Sequence, residues 1–226
     1  MDVILNLGNP AKEVSSILNV LLPSCSKRVL KLTGAQVFLG PNIAVTSAVY
    51  GAGMTLDCLE EMKLEGTFQA GDSLMLVGSM GSLCEEIQLG DIVVPECCVC
   101  AYYGFKGIEL FPHGELLRLL RASLEKEGKR PIAYRHGSSF AVFDPHTNHS
   151  TYKSTLYDAS VRGVDCGETF VGLEFARRNQ LSAAAVLYCS DSPRSRISDI
   201  GVEEFERRAT AFDILLNKVA ADVVRT

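Results

Sequence analysis

The chain has 226 residues, of which 47% are apolar and 22% are charged, and this fits one globular domain, residues 1–226, with a substantial core. Its net charge of −5 is spread along the sequence without a run of Lys or Arg. Binding to nucleic acid is therefore not expected, because affinity for a phosphate backbone requires clustered cations.

The amino-terminal segment and the cysteines indicate the compartment. Residues 1–20 place an acid at Asp2 and interrupt their apolar run with Gly-Asn-Pro, which is typical of neither a signal peptide nor a transit peptide. No apolar run approaches the ~20 residues needed to cross a bilayer, so no membrane association is expected. Most of the eight cysteines lie in apolar runs, as reduced and buried thiols do. These features predict a cytoplasmic protein.

Short β-branched runs alternate with longer helical patterns along the chain. The predicted strands are Val3–Leu7, Arg28–Leu32, Asn42–Val49, Ser73–Val77, Asp91–Cys100, Ile132–Val142, Arg162–Asp165 and Ala183–Cys189. The predicted helices are Lys12–Leu22, Met54–Leu64, Gly114–Glu127, Tyr152–Tyr157, Glu168–Gln180 and Val202–Val224. This alternation predicts an α/β domain with a mixed central sheet and helices on both faces.

Ligands of such folds bind at the carboxyl ends of the strands, so the residues that follow each strand are candidates. Gly8 and Lys12 follow the first strand, where a helix N-terminus and a cation favour an anion. The segment GSMGSL, Gly78–Leu83, has the composition of a backbone nest for an anion. Asp191 follows the strand Ala183–Cys189. Each of these segments is equally typical of an ordinary turn.

The segment VDCGETF carries two carboxylates. Asp165 as an N-cap with Glu168 three residues later resembles a capping box. A helix that starts at Glu168, followed by the strand Ala183–Cys189, returns the chain to the same edge of the sheet. We therefore expect Asp191 and Glu168 to lie at one candidate site.

Four segments together resemble a known family. GNPAK, VGSMGSL followed by GDIVVP, GVDCGETF and CSDSP are similar, in order and spacing, to the motifs of the nucleoside phosphorylases, which include purine nucleoside and uridine phosphorylases. The resemblance implies a mixed sheet curled toward a barrel with flanking helices. It also implies cleavage of the N-glycosidic bond of a nucleoside, preferentially a purine nucleoside, with phosphate as co-substrate. No metal or organic cofactor is implied, and a homo-oligomer is expected.

The resemblance implies substrate-binding roles for seven residues. Gly8, Lys12 and Ser79 match positions that bind phosphate, and Glu168 matches the glutamate that holds the ribose hydroxyls. The remaining three are Phe143, near the aromatic residue that stacks on the base, and Cys166 with Gly167, which stand where the family has one Met.

The resemblance also implies two catalytic residues. Asp191 matches the acid that protonates the departing purine, which requires a carboxyl that is protonated near neutral pH. Arg208 matches the arginine that assists this acid, and Arg194 is the alternative.

One departure leaves the reaction open. Leu76 replaces the arginine that precedes VGSCG in the family, and Lys12 offers only a point charge in the place of another arginine. Three hypotheses therefore stand, namely a phosphorylase, a hydrolase on the same fold with water in place of phosphate, and a degenerate nucleoside-binding protein. His146 and His149 are typical of a polar surface loop, and the cysteines of Glu96–Cys100 lack the partners of a zinc site.

Overall fold

A computed structural model describes residues 1–7, 18, 21–22, 24–100, 108–138, 160–193 and 200–225. The strands of this part of the chain are β1 (Asp2–Asn6), β2 (Ser26–Val29), β3 (Gln36–Leu39), β4 (Ile43–Thr46), β5 (Ser73–Ser82), β6 (Ile92–Cys100), β7 (Glu109–Leu110), β8 (Ile132–Ser138), β9 (Gly163–Asp165) and β10 (Ser182–Asp191). Its helices are α1 (Gly51–Leu64), α2 (Gly114–Lys126), α3 (Glu168–Arg178) and α4 (Val202–Val224).

The strands form one mixed sheet that closes on itself. The strand order is β10-β6-β8-β9-β5-β1-β4-β3-β2, and β10 also pairs with β5. Strands β5, β10, β6, β8 and β9 therefore make a closed ring, while β1, β4, β3 and β2 extend from β5 as an open sheet. The predicted α/β fold with a mixed sheet curled toward a barrel is confirmed.

Strand β5 lies at the centre of this arrangement because it pairs with β1, β9 and β10. Its side chains alternate between two apolar clusters. Leu74 and Leu76 belong to the cluster covered by α1 and α3, whereas Met75 and Val77 belong to the cluster covered by α2 and α4. The burial of both faces explains why this strand is a continuous apolar run in the sequence.

Most predicted elements are confirmed, with small shifts at their ends. The bounds of α4 are those predicted, and α1, α2 and α3 begin within three residues of the predicted positions. Two short strands, β3 and β7, were missed, and the predicted strand at Arg28–Leu32 is instead β2, Ser26–Val29. The predicted helices at Lys12–Leu22 and Tyr152–Tyr157, and the end of the strand at Ile132–Val142, fall on residues that lie largely or wholly outside the described part.

The prediction of a Gly-rich turn at Gly78–Leu83 is wrong. Residues Gly78–Ser82 continue β5, because the closure of the ring supplies partners for them. Residues 187–191 of β10 pair along one side, and Val164 of β9 pairs with Gly81 on the other. Their backbone groups belong to the sheet and do not form a separate nest for an anion.

Gly78 allows β1 to approach β5 closely. A Cβ atom at this position would lie 2.6 Å from the backbone oxygen of Leu7, which cannot move without separating the two strands. We expect Gly78→Ala to lower the free energy of unfolding by about 1–3 kcal/mol, the usual effect of overpacking. Gly81→Ala is the matched control, because a Cβ there would meet only Val164, at 4.0 Å. Urea denaturation of both variants measures the difference, and equal losses would contradict this role of Gly78.

Candidate active site

Strand pairing brings the two predicted carboxylates to the same region of the ring. Asp191, the last residue of β10, pairs with Gly81, which in turn pairs with Val164. Neighbouring strands are about 4.8 Å apart, so the backbones at Asp191 and Val164 are separated by about 10 Å. The chain turns after β9, and α3 begins at Glu168.

The Asp165 carboxylate organises the start of α3. Its Oδ1 accepts a hydrogen bond from the Gly167 N–H at 2.9 Å, and its Oδ2 accepts one from the Thr169 N–H at 2.8 Å. The N-cap itself is Gly167, not Asp165, and it has a left-handed φ of 99° that favours glycine. Asp165 thus stabilises the helix start as predicted, but from a position two residues before the N-cap.

Glu168 is a buried carboxyl with one oxygen available. Glu168 is only 3% exposed, and its Oε1 accepts a hydrogen bond from the Gly51 N–H at 2.7 Å. Its Oε2 accepts no hydrogen bond from the described residues. Burial, and next the negative charge of Asp165, raise the pKa of Glu168 to about 7. A buried carboxyl oxygen without a partner is a candidate acceptor for a ligand hydroxyl.

The N-terminus of α1 closes over the Cys166–Gly167 segment. The Ala52 N–H donates to the Cys166 carbonyl at 3.3 Å, beside the bond from Gly51 to Glu168. The Tyr50 hydroxyl lies 3.4 Å from the Cys166 sulfur, and Tyr50 is 51% exposed. Two backbone donors of α1 therefore fix the segment in which the sequence departs from the family pattern.

Asp191 lies at the edge of this region, half-buried at the end of β10. The hydroxyl of Ser190 lies 3.0 Å from Asp191 Oδ2 and 3.2 Å from the Met80 carbonyl. This hydroxyl can donate to either oxygen. The hydrogen bond that the described residues give the Asp191 carboxyl is thus to a neutral group, at Oδ2.

Ser79 lies on β5, on the face that α4 covers. It pairs in the sheet with Tyr188. Burial raises the pKa of Tyr188, whose ring stacks on Phe212 of α4 with centroids 5.1 Å apart. The sequence analysis did not identify another buried carboxyl on α4, Asp213, whose pKa is raised by burial to about 7.

Arg208 contacts a neighbour on its own helix. Its Nε lies 2.7 Å from the carboxylate of Glu204, one turn earlier in α4, and its side chain is 49% exposed. Within the described part of the chain, no contact joins Arg208 to Asp191. Gly8, Lys12, Phe143, Arg194, His146 and His149 lie outside the described residues.

Leu76 is a core residue. It is fully buried and faces α3, where a Cβ on Gly172 would lie 2.7 Å from its side chain. The absence of a side chain at Gly172 makes room for Leu76. Leu76, which the sequence resemblance aligns with an arginine, thus packs between β5 and α3.

Two sequence predictions concern metals and thiols. No disulfide joins any of the eight cysteines, and of the five in apolar runs that were predicted to be buried, Cys97, Cys98, Cys100 and Cys189 are buried whereas Cys84 is partly buried. Among the described residues, no group of three or more His, Cys, Asp or Glu side chains could hold a metal ion.

None of the described helices is both long enough and apolar enough to span a bilayer.

Sequence reasoning missed Gly51 and the buried pair Tyr134 and His136 on β8. Gly51 has no chemical signature, because it acts through its backbone N–H. His136 is fully buried, and its Nε2 lies 3.3 Å from Asp165 Oδ2. A single His inside an apolar strand carries no signal of this contact, since Asp165 is far away in sequence.

The described structure is similar to solved structures of nucleoside-cleaving enzymes. Uridine phosphorylase from Vibrio fischeri is 20% identical, with a TM-score of 0.77 over 99% of this chain and 90% of that chain. The 5′-methylthioadenosine/S-adenosylhomocysteine nucleosidase from Helicobacter pylori is 15% identical, with a TM-score of 0.76 over 98% of each chain. Purine nucleoside phosphorylase from Toxoplasma gondii is 15% identical, with a TM-score of 0.73 over 99% of this chain and 91% of that chain.

No family model and no curated protein sequence matches this chain. At these identities the structural likeness shows the fold, which is that of the nucleoside phosphorylases, and so confirms the prediction made from the four motifs. The fold is shared by enzymes that use phosphate and by enzymes that use water.

Proposed function

We propose that this protein, which has the nucleoside phosphorylase fold, cleaves the N-glycosidic bond of a purine nucleoside. The observation that carries the proposal is the Glu168 carboxyl, buried and held on one oxygen by Gly51, with Oε2 unpartnered among the described residues. In its ionised form this oxygen accepts hydrogen bonds from ribose hydroxyls. Because the carboxyl is fixed before the substrate arrives, the sugar is held in one orientation for attack at C1′.

Asp191 supplies the proton in this proposal. As the bond between C1′ and the base nitrogen breaks, its electron pair moves onto the base, and Asp191 donates a proton to N7 of the purine. The attacking oxygen forms the new bond to C1′ from the opposite face of the sugar, and where this oxygen belongs to water, its extra proton passes to solvent. Asp191 regains its proton from solvent after the base leaves, so that the cycle closes without a redox step or a cofactor.

Phosphate is the first candidate for the attacking group. The sequence supports it through Gly8, Lys12 and Ser79, which match phosphate-binding positions of the family. The product would then be ribose 1-phosphate. We expect the working enzyme to be a homo-oligomer, which size-exclusion chromatography with light scattering measures.

Water is the second candidate, and Leu76 favours it. Because Leu76 fills a core position between β5 and α3, the bidentate phosphate ligand of the family has no equivalent there. Hydrolysis does not need such a ligand, since a water molecule carries no charge that must be neutralised.

One experiment decides between the candidates. The protein is incubated with adenosine, inosine, guanosine, uridine and 5′-methylthioadenosine, with and without inorganic phosphate, and free bases are separated by chromatography. We expect release of a purine base. Release that requires phosphate identifies a phosphorylase, and release at the same rate without phosphate identifies a hydrolase. Saturable binding with no release of any base would contradict both and leave the nucleoside-binding hypothesis.

A further inference from the structure

Two buried side chains on β8 form a polar cluster behind the turn that precedes α3. Tyr134 and His136 are two residues apart, so their side chains lie on the same face of the strand. Tyr134 is 4% exposed and His136 is fully buried. The Tyr134 hydroxyl is hydrogen-bonded to His136 Nδ1, and His136 Nε2 lies 3.3 Å from Asp165 Oδ2.

The direction of the contacts follows from the chemistry of the groups. Burial, and next the charge of Asp165, raise the pKa of Tyr134 well above its ordinary value, so the phenol keeps its proton. A carboxylate only accepts hydrogen bonds, so the favourable arrangement has a hydrogen on Nε2, the ring nitrogen that faces Asp165, and leaves Nδ1 to accept from the phenol. His136 Nε2 makes no hydrogen bond within the described part of the chain, so its 3.3 Å contact with the Asp165 carboxylate is an electrostatic one.

Neighbouring residues make room for this cluster. A Cβ on Gly163 would lie 2.7 Å from the Tyr134 ring and 2.8 Å from the sulfur of Met80. Only the missing side chain at Gly163 therefore lets Tyr134 pack against β9 and reach His136. The rings of Tyr134 and His136 are perpendicular, with centroids 5.5 Å apart, which is a favourable arrangement.

Asp165 connects this cluster to the candidate active site. Its two oxygens hold the N–H groups of Gly167 and Thr169, the residues on either side of Glu168. A shift of the Asp165 carboxylate would therefore move the backbone that carries Glu168. The imidazole of His136 contacts the same oxygen, Oδ2, that accepts the Thr169 N–H.

We propose that Tyr134 and His136 are positioning residues that fix Asp165, and through it the orientation of the Glu168 carboxyl toward the ribose. The effect on the orientation of Glu168 toward ribose rests on the proposed function. The effect on the turn at Asp165 does not, since it concerns the protein without a ligand.

A matched pair of variants separates the two contacts of His136. In His136→Gln, the side-chain amide reaches the place of Nε2 and still donates toward Asp165. In His136→Asn, the shorter amide reaches only the place of Nδ1, so Asp165 loses this contact while Tyr134 keeps a partner. Tyr134→Phe is a milder third variant, which removes only the Tyr134 hydroxyl.

The first measurement is amide hydrogen exchange without any ligand. In His136→Asn we expect the Gly167 and Thr169 amides to exchange about tenfold faster, because the Asp165 carboxylate loses the imidazole that contacts it. The amide of Leu76 in β5 serves as the reference and is expected to be unchanged. His136→Gln should stay within threefold of the wild type. Equal exchange of the two amides in the wild type and His136→Asn would overturn the proposal.

The second measurement uses adenosine and 2′-deoxyadenosine, which differ in one hydroxyl that Glu168 would hold. We expect His136→Asn to lower the ribose preference, the ratio of the two kcat/KM values, about tenfold, and His136→Gln to restore it. A general loss of structure would lower both values alike and leave the ratio unchanged, which would overturn the positioning role. Tyr134→Phe is expected to change the ratio about threefold in the same direction.

The outcomes distinguish this inference from the proposed function. If the wild type cleaves neither nucleoside, the proposed function has failed, and the ratio of the two dissociation constants from calorimetry replaces the kinetic ratio. If the wild type also binds neither nucleoside, the proposed orientation of Glu168 toward ribose is overturned. Faster exchange of Gly167 and Thr169 in His136→Asn alone would then still support the positioning of the turn.

Discussion

Replacement of Asp191 by Asn is expected to lower kcat/KM for purine nucleosides by about 10²–10⁴-fold, the range for loss of a general acid. The amide has nearly the same size as the carboxyl and can still accept a hydrogen bond from Ser190. It cannot transfer a proton to the departing base. The loss should therefore appear in kcat more than in KM, which steady-state kinetics with adenosine or inosine measures.

A cationic substrate provides the control for Asp191. The base of 7-methylguanosine carries a methyl group on N7 and a positive charge, so it can leave without protonation. We expect Asp191→Asn to cleave it within about threefold of the wild-type rate. Asp72→Asn is the matched control variant, since Asp72 stands at the opposite ends of the strands, where it pairs with the N-terminal ammonium of Met1 at 2.6 Å. Wild-type turnover of purine nucleosides by Asp191→Asn would remove Asp191 from the mechanism.

Replacement of Glu168 by Gln is expected to lower activity and to raise stability. Loss of the carboxylate removes charge-assisted hydrogen bonds to the ribose, so kcat/KM should fall by about 10²-fold or more. Because the pKa of Glu168 is about 7, wild-type activity should rise as the pH increases through 7 and the carboxylate forms. The contribution of Glu168 to the pH profile of kcat/KM should be absent from the variant.

The same raised pKa predicts the effect on stability. Between the ordinary value of 4.5 and about 7, the folded protein holds a proton on Glu168 that the unfolded chain has lost. Stability from this group therefore falls as the pH rises through this window, by an amount on the order of 3 kcal/mol. Glu168→Gln avoids the loss, so its thermal midpoint should exceed that of the wild type at pH 8 and match it near pH 4. A lower midpoint at pH 8 would contradict the burial of an unfavourable charge.

Glu61 offers a control of opposite sign. Its carboxylate accepts backbone hydrogen bonds from Lys31, Leu32 and Thr33, and these bonds hold its pKa below the ordinary value, although burial opposes them. Its charge is thus favourable in the folded protein. Glu61→Gln is expected to lower the thermal midpoint at pH 8, the reverse of Glu168→Gln. This result would show that the effect at Glu168 is not a general consequence of removing a carboxylate.

The pattern of apolar residues was sufficient for most of the elements. Helix α4 was predicted with its observed bounds, because its apolar residues recur at helical spacing over six turns and Gly201 precedes it. Strands β1, β5, β6 and β10 were found because they are continuous apolar runs. Strand β7 was missed because its two residues carry too little pattern to be recognised, whereas β3, with four residues, is no shorter than β4, which was predicted.

Long-range contacts decided where the sequence predictions failed. The predicted strand Arg28–Leu32 stops at Val29 because Glu61, about 30 residues away, accepts the N–H groups of Lys31, Leu32 and Thr33 and holds them in a turn. Gly78–Ser82 has the composition of a turn but is a strand, because β9 and β10 pair with it.

The sequence by itself determined an α/β fold with a mixed sheet and named Glu168 and Asp191 as residues of one candidate site, because the helix that starts at Glu168 and the strand after it return the chain. Only the tertiary structure decided the state of those groups. The pKa of Glu168 rises because burial and Asp165 act on it together, and Gly51 reaches it from a helix 117 residues earlier. The contact between His136 and Asp165 likewise arises from the pairing of β8 with β9. Distances through space set these energies, and local sequence patterns do not contain them.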